Sequence, residues 1–135
     1  YLLHNKHEVL NNTATRKGGA YAFDIFPPTT RNLTLLNNSA IYGADKAGYP
    51  YKIINLTNPT TFTYVSGQAI DASMEMKYAL VDSFGEIIKT DSESVFTISA
   101  GTTSTGAKVI GNTDVTVVEG VGTFKDITFI VTPGT

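Results

Sequence analysis

The sequence contains no cysteine and no tryptophan, and only 16% of its 135 residues are charged. Without cysteine, the chain has no disulfide bonds, no thiolate nucleophile and no cysteine-based zinc site. The formal net charge of -2 leaves no basic surface for nucleic acid or anionic lipid. No segment approaches the run of about 18 apolar residues that a membrane span requires. We therefore expect no nucleic-acid partner and no membrane insertion in this segment.

What the chain has in abundance is Thr, Asn, Gly and Ser, a mixture that favours strands and turns over helices. The sequence therefore predicts an all-β protein. Its pattern changes near residue 58, which predicts a boundary between residues 1–58 and residues 59–135.

An internal repeat marks the first part. The block Asn11-Asn12-Thr13-Ala14 returns 26 positions later as Asn37-Asn38-Ser39-Ala40. This spacing is close to one coil of a parallel β-solenoid. Asn tolerates the left-handed conformation of a tight corner, and stacked Asn amides can hydrogen-bond from coil to coil. The glycines that follow each block provide positive φ at the next turn.

These elements resemble polymorphic-outer-membrane-protein-type β-helix repeats, which combine a hydrophobic-x-x-Asn element with a Gly-Gly-Ala element. The matching segments are Val9 to Ala14 with Gly18-Gly19-Ala20, and Leu35 to Ala40 with Gly43-Ala44. The run from Tyr42 to Pro50 is similar to the segment that ends such arrays in large surface proteins of protists, including ciliates. The resemblance implies a short, parallel β-solenoid-like N-terminal segment.

The second part has the alternating pattern and short turn spacing of an antiparallel sandwich. Asp82-Ser83-Phe84-Gly85 predicts a hairpin turn, and a slip in alternation predicts a β-bulge near Asp126. The predicted strands are Thr61 to Val65, Met74 to Asp82, Glu86 to Thr90, Ser94 to Ser99, Ala107 to Ile110, Asp114 to Glu119 and Gly122 to Val131.

Residues Gly120 to Phe129 and the tail Thr132-Pro133-Gly134-Thr135 resemble immunoglobulin-like modules of the bacterial-Ig and filamin kind. In that family a final strand follows such a tail, so the resemblance implies an incomplete sandwich that a neighbouring copy or flanking chain completes. Joining the tail to Tyr1-Leu2-Leu3 restores the expected strand. We therefore expect Tyr1, Leu2 and Leu3 to be donated to another copy, in a head-to-tail polymer or a tandem repeat.

Glycosylation is the modification that the motifs predict. Four Asn-x-Ser/Thr sequons give the candidates Asn11, Asn32, Asn37 and Asn55. The repeat itself also explains an Asn at positions 11 and 37, whereas Asn32 and Asn55 have no such alternative explanation. Thr29 and Thr30, which follow two prolines, are candidates for O-linked sugar, although an ordinary polar loop is the commoner meaning of such a segment.

Metal binding and catalysis have little support. His4, His7 and Glu8 have a spacing that suits a helix, and no helix is predicted there. Carboxylates near turns are compatible with Ca²⁺, but scattered solvated residues explain them as well. These carboxylates are Asp71, Glu75, Asp82, Glu86, Asp91 and Glu93. No hydrolase, P-loop or metalloprotease motif occurs, so we expect no enzyme and no cofactor other than covalent glycans.

Two functions remain. The preferred hypothesis is a structural subunit or repeat of an extracellular, glycosylated filament or cell-surface coat, which assembles head-to-tail by β-strand complementation. The alternative is an adhesin fragment that binds glycan or protein.

Overall fold

A computed structural model describes residues 6–58, 63–70, 74–101 and 106–131. These residues are all-β, with essentially no helix and several small sheets. Within them, no helix is long and apolar enough to cross a bilayer. The strands are β1 His7–Leu10, β2 Tyr21–Ala22, β3 Leu33–Leu36, β4 Lys46–Ala47, β5 Pro50–Asn55, β6 Met76–Asp82, β7 Val95–Thr97, β8 Lys108–Gly111, β9 Asp114–Thr116, β10 Val121–Phe124 and β11 Ile127–Ile130.

The chain divides into two compact units. The first unit comprises residues 1–53 and 80–90, and the second comprises residues 54–79 and 91–135. The sequence predicted a boundary after residue 58. The break between residues 53 and 54 lies close to that position, but the return of residues 80–90 to the first unit has no counterpart in the sequence pattern.

Two repeats in the first unit lie side by side in parallel. We call residues 7–22 the first repeat and residues 33–47 the second repeat. β1 pairs with β3 in the register His7↔Leu33 to Leu10↔Leu36, and Thr13 pairs with Ser39. β2 pairs with β4, also in parallel. The 26-residue spacing of the two Asn-Asn blocks is therefore the register of the paired strands.

The corners of the two repeats have the predicted backbone conformation. Asn11 and Asn37 both have φ of 56°, in the left-handed region that Asn tolerates better than most residues. Gly18 has φ of 61° and Gly43 has φ of 60°. The left-handed corners expected from the sequence are confirmed at all four positions.

Residues 80–90 pack against the second repeat. Tyr42, Ala47 and Ile88 form a buried cluster, against which Leu80 packs. The hairpin predicted at residues 82–85 is confirmed, because the Gly85 amide donates to the Asp82 carbonyl at 3.0 Å and Gly85 has φ of 87°.

Antiparallel pairs make up the second unit. β6 pairs with β10 through Met76 to Ala79, β8 pairs with β11, and β7 pairs with β9. A buried apolar core forms from these strands and the segment before β6. Its side chains are Ile70, Met76, Ala79, Phe96, Val115, Val117, Phe124 and Ile127.

Three of the predicted strands differ from the structure. The bulged strand from Gly122 to Val131 is instead two strands in different sheets, since Asp126 has φ of 55° and turns the chain between β10 and β11. Residues 86–90 contribute only a single bridge at Ile87. Residues 63–65 form no strand, and residues 61 and 62 lie outside the described residues.

Candidate functional site: the asparagine ladder, the glycan acceptors and the open strand edge

A ladder of side-chain amides joins the two repeats. The Asn38 Oδ1 atom accepts hydrogen bonds from the Asn12 backbone amide at 3.0 Å and from Asn12 Nδ2 at 3.1 Å. In turn, Asn38 Nδ2 donates to the Val9 carbonyl and to Asp45 Oδ1, each at 2.9 Å. The predicted hydrogen bonding of Asn amides between repeats is therefore confirmed. Asp45 was not expected to take part, because nothing in the sequence links it to the Asn block.

The three candidate acceptors Asn11, Asn32 and Asn37 take no part in this ladder. All are exposed and have left-handed φ angles of 50–56°. Within the described residues their side chains make no hydrogen bond, so attached sugar would displace none. Each Asn-Asn block thus separates two roles, since its first Asn forms the exposed corner and its second Asn forms the ladder.

Asn55 has a different environment. Its side chain is exposed, but its Oδ1 atom accepts a hydrogen bond from the Thr57 amide at 2.7 Å. Thr57 is buried, and its hydroxyl accepts from the Lys77 amide at 2.9 Å. A transferase must contact the hydroxyl of the sequon, so we expect Asn55 to be modified only before Thr57 becomes buried.

The separation of roles leads to a prediction for matched variants of one block. In a glycosylating host, Thr13→Ala removes the sequon of Asn11 without changing the left-handed corner, so it is expected to lower the glycan mass by one chain while the amide ladder persists. Asn12→Leu keeps the sequon and its glycan, but is expected to remove the hydrogen bond from Nδ2 to Asn38 and lower the free energy of unfolding by about 1–2 kcal/mol. Intact mass before and after deglycosylation, together with thermal melting, measures both effects. Equal loss of stability in the two variants would contradict the assignment.

The O-glycosylation candidates Thr29 and Thr30 lie between β2 and β3, and both are exposed. Ile25 and Phe26, in the same connection, are also exposed. Access to a transferase is therefore open at both threonines, which stay predictions.

The strand-donation candidates Tyr1, Leu2 and Leu3 lie outside the described residues. The strands of the second unit with one open side belong to the described residues. In the second unit, β7 pairs only with β9 and β8 pairs only with β11 among the described strands. β11 has neighbours on both sides, since Gly67 and Ile70 amides donate to the Phe129 and Ile127 carbonyls at 2.9 and 2.8 Å. β9 and β10 are also paired on one side only among the described strands. β11 is therefore excluded as the receiving strand, and β7 and β8 are among the strands that remain.

The carboxylate of Asp82 is a buried polar group of the first unit and joins three backbone amides. Asp82 is fully buried. Its oxygens accept hydrogen bonds from the amides of Gly48 at 2.6 Å, Phe84 at 2.8 Å and Glu86 at 3.0 Å. The sequence identified Asp82 as a turn residue and as one of the carboxylates compatible with Ca²⁺. The Asp-x-x-Gly pattern accounts for the two local bonds but not for the bond to Gly48.

Tyr42, close to this carboxylate, is held in its neutral form. Burial raises the pKa of the Tyr42 phenol, and the negative charges of Asp82 and Asp24 raise it further. A phenol with a raised pKa is a poor base at neutral pH. The cleft beside Tyr42, of about 420 Å³, is also lined by Arg16, Lys17 and Asp24. Lys17 and Asp24 form an ion pair, so these titratable groups have structural partners.

Two of the other carboxylates considered for Ca²⁺, Asp91 and Glu75, are bound to protein groups. Burial raises the pKa of Asp91, but hydrogen bonds from Ser94 and from the Glu93 amide outweigh it, so the pKa lies below the usual value. Hydrogen bonds from Lys125 and Lys77 lower the pKa of Glu75. Asp71 lies outside the described residues.

The histidine segment offers no cluster of ligands either. Glu8 forms an ion pair with Lys6 at 2.7 Å, and His4 lies outside the described residues. In the part of the chain that the structure describes, no three His, Asp or Glu side chains come together as a metal site.

Comparison of this chain with protein-family models, with curated proteins and with solved structures finds no match. The resemblances to β-helix repeats and to immunoglobulin-like modules therefore stay predictions, and functional inference depends on the geometry above.

Proposed function

We propose that this chain is a non-catalytic structural segment of an extracellular, glycosylated filament or cell-surface coat. In this proposal, residues 1–58 form a short β-solenoid and residues 59–135 form an immunoglobulin-like sandwich that a neighbouring copy completes. The parallel, in-register repeats of the first unit and the antiparallel pairs of the second unit support these two assignments.

The observation that carries the proposal is the open edge of β7. The Ile98 amide donates to the Thr113 carbonyl and the Val117 amide donates to the Ser94 carbonyl, each at 2.9 Å, so alternate residues of this segment face β9. By strand alternation, the backbone groups of Val95 and Thr97 face the other way, where no described strand lies. Such a row of unpaired amides and carbonyls is a template for another strand.

The side chains of β7 make this edge suitable for pairing. Soluble proteins usually protect an open edge with charge, proline or a bulge. β7 has the sequence Val-Phe-Thr, without any of these, and Val95 is 57% exposed. β8, in contrast, contains the exposed Lys108. We therefore assign the receiving edge to β7.

Tyr1-Leu2-Leu3 of an adjacent copy is the donated strand in this arrangement. Main-chain hydrogen bonds would supply affinity, and the alternating side chains would supply specificity. Because the donor and receiver are different surfaces, the contact is head-to-tail and extends into a fibre unless it closes into a ring. Sugar on Asn11, Asn32, Asn37 and Asn55 would limit lateral association, and it implies a location outside the cell or on its surface.

A charge at the receiving edge tests the proposal. Val95→Lys is expected to lower the average mass of the assemblies to that of the monomer, because β-pairing would bring an ammonium group against the donated strand. Analytical ultracentrifugation over a hundredfold range of concentration measures this mass.

The matched control is Val118→Lys. Val118 is 68% exposed and lies in the turn before β10, where its amide and carbonyl already bond to Val121. This variant is expected to assemble like the unmodified chain. Monomers at every concentration for the unmodified chain, or equal loss of assembly in both variants, would count against the assignment of β7.

An aromatic cluster in the first unit favours the alternative function, an adhesin. Phe23 packs edge-to-face against Tyr49 and Phe84, with ring centroids 6.1 and 5.6 Å apart, and Tyr49 packs in the same way against Tyr51. Tyr51 is 61% exposed. Exposed aromatic faces are amphipathic binding surfaces. Titration with soluble oligosaccharides, followed by NMR, should shift Tyr51 resonances if this cluster binds glycan.

A further inference from the structure

The two ends of the first unit are different. At the second repeat, Ile88 and Leu80 pack against the buried Tyr42 and Ala47. At the first repeat, β1 pairs with β3 on one side, and no described strand lies on its other side. One end of the stack of repeats is therefore covered and the other end is open.

The backbone at the open end is arranged for parallel pairing. The amides of His7 and Asn11 donate to the carbonyls of Asn32 and Leu36, each at 3.0 Å, so these residues face β3. Alternation along a strand then directs the backbone groups of Glu8 and Leu10 to the opposite side. The amide and carbonyl of Glu8 and the amide of Leu10 have no partner in the described strands, while the Leu10 carbonyl accepts a hydrogen bond from Asn12 Nδ2.

Among the described residues, the hydrogen bonds of the asparagine ladder leave an acceptor free at the same open end, at the first repeat. Asn38 Oδ1 accepts two hydrogen bonds from Asn12, one from its backbone amide and one from Nδ2. Asn12 Nδ2 donates to Asn38 Oδ1 and to the Leu10 carbonyl, at 3.1 Å in each case. In contrast, Asn12 Oδ1 accepts no hydrogen bond from the described residues. It is the equivalent of Asn38 Oδ1, one step further along the ladder.

We propose that this open end binds one further repeat of the same kind, as a strand parallel to β1. This inference depends on the proposed structural function, but it concerns a surface separate from β7. The partner carries an asparagine whose backbone amide and Nδ2 donate to Asn12 Oδ1, and its backbone pairs with Glu8 and Leu10. The contact continues the existing interface between the first and second repeats.

The short distance between neighbouring repeats places a second requirement on the partner. Gly19 lies against the second repeat so closely that a Cβ atom there would be 2.7 Å from the backbone nitrogen and oxygen of Ser39. A repeat that stacks on the first one in the same way needs glycine at the equivalent position. The partner is therefore a polypeptide segment with the pattern of residues 7–22, rather than an arbitrary β-strand.

A chain in which residues 7–32 occur twice in succession tests this inference. The added period places a third repeat on the stack. We expect the melting temperature to rise by about 4 °C or more, since each repeat adds an interface. We also expect the Glu8 and Leu10 amides of the inner copy to exchange at least about tenfold more slowly than in the unmodified chain.

The matched control has the same length, with Asn12→Ala and Gly19→Val in the outer copy only. It should show neither the rise in melting temperature nor the slower exchange. An unchanged melting temperature and unchanged exchange in the extended chain would overturn the inference, as would an identical gain in the control.

Should the extended chain fail to fold, a peptide of residues 6–22 titrated into the unmodified chain provides a second test. NMR shifts at the Glu8 and Leu10 amides and at the Asn12 side chain are expected, and a peptide with both Asn12→Ala and Gly19→Val should give none. Absence of shifts with both peptides would overturn the inference.

Failure of the stacking tests can be distinguished from failure of the proposed strand donation at β7. Both tests leave β7 unchanged, so ultracentrifugation of the Val95→Lys and Val118→Lys variants reports on strand donation independently. Stacking without polymerisation would support the open end alone, and polymerisation without stacking would support β7 alone.

Discussion

Replacing Asp82 with alanine is expected to lower the free energy of unfolding of the first unit by at least about 3 kcal/mol. The carboxylate is fully buried and accepts three backbone hydrogen bonds, from Gly48, Phe84 and Glu86. Hydrogen bonds to a charged group contribute more than neutral ones, and each buried amide left without a partner costs about 1–3 kcal/mol. Alanine would leave the buried amide of Gly48 unpaired and would remove the partner of the partly buried amides of Phe84 and Glu86.

Urea denaturation monitored by circular dichroism measures the loss of stability, and hydrogen exchange at Gly48, Phe84 and Glu86 localises it. Asp82→Asn is the matched variant, since its Oδ1 atom can still accept the bonds from Phe84 and Glu86, so its loss should be smaller. A loss below about 1 kcal/mol for Asp82→Ala would contradict the role assigned to this carboxylate.

Replacing Gly19 with alanine is expected to separate the two repeats. The added methyl would lie 2.7 Å from the nitrogen and oxygen of Ser39 and would also collide with the Ala44 carbonyl. These are backbone atoms of the second repeat, so they cannot move without breaking the parallel pairs. We expect a loss of about 3 kcal/mol, at the upper end of overpacking effects.

Gly67→Ala is the control for Gly19→Ala. Gly67 has φ of 84°, but no atom lies within 4 Å of the position of its Cβ. Its substitution should cost only the strain of a left-handed residue, about 1–2 kcal/mol, in the second unit. Hydrogen exchange separates the two effects, because only Gly19→Ala should remove protection at the amides of Ala14 and Ala20, which donate to the second repeat. Retained protection there would contradict the steric argument.

The sequence predicted the pairing of the two repeats because the same local constraints occur twice. Asn11 and Asn37 occupy left-handed corners, and Asn12 donates amide hydrogen bonds to Asn38. These features are local in the chain and need only a fixed spacing, which the sequence displays directly. The all-β character followed from composition in the same way.

Features that depend on distant parts of the chain were not predictable. The Gly48 amide bonds to Asp82, 34 residues away, and this pairing accompanies the return of residues 80–90 to the first unit. The continuous bulged strand around Asp126 was wrong because alternation cannot distinguish a bulge from a change of sheet. Asp45 joined the ladder without any pattern that links it to Asn38.

The candidate glycan acceptors could be identified from the sequence, whereas the receiving strand edge could not. Sequons identify their acceptors directly, and Asn11, Asn32, Asn37 and Asn55 are all exposed. The receiving edge was not identifiable from the sequence, since β7 does not differ in pattern from the paired strands around it. Its open side depends on which strands become its neighbours.

Disulfide trapping between copies tests strand donation most directly, because the chain has no cysteine of its own. A variant with Leu2→Cys and Thr97→Cys places one thiol in the donated segment and one on the open edge of β7. Under mild oxidation, the proposal predicts a ladder of covalent oligomers on a non-reducing gel, which collapses to monomer on reduction. The variant with Leu2→Cys and Val118→Cys should form no such ladder. Monomer alone from the first variant, or equal ladders from both, would contradict head-to-tail strand donation at β7.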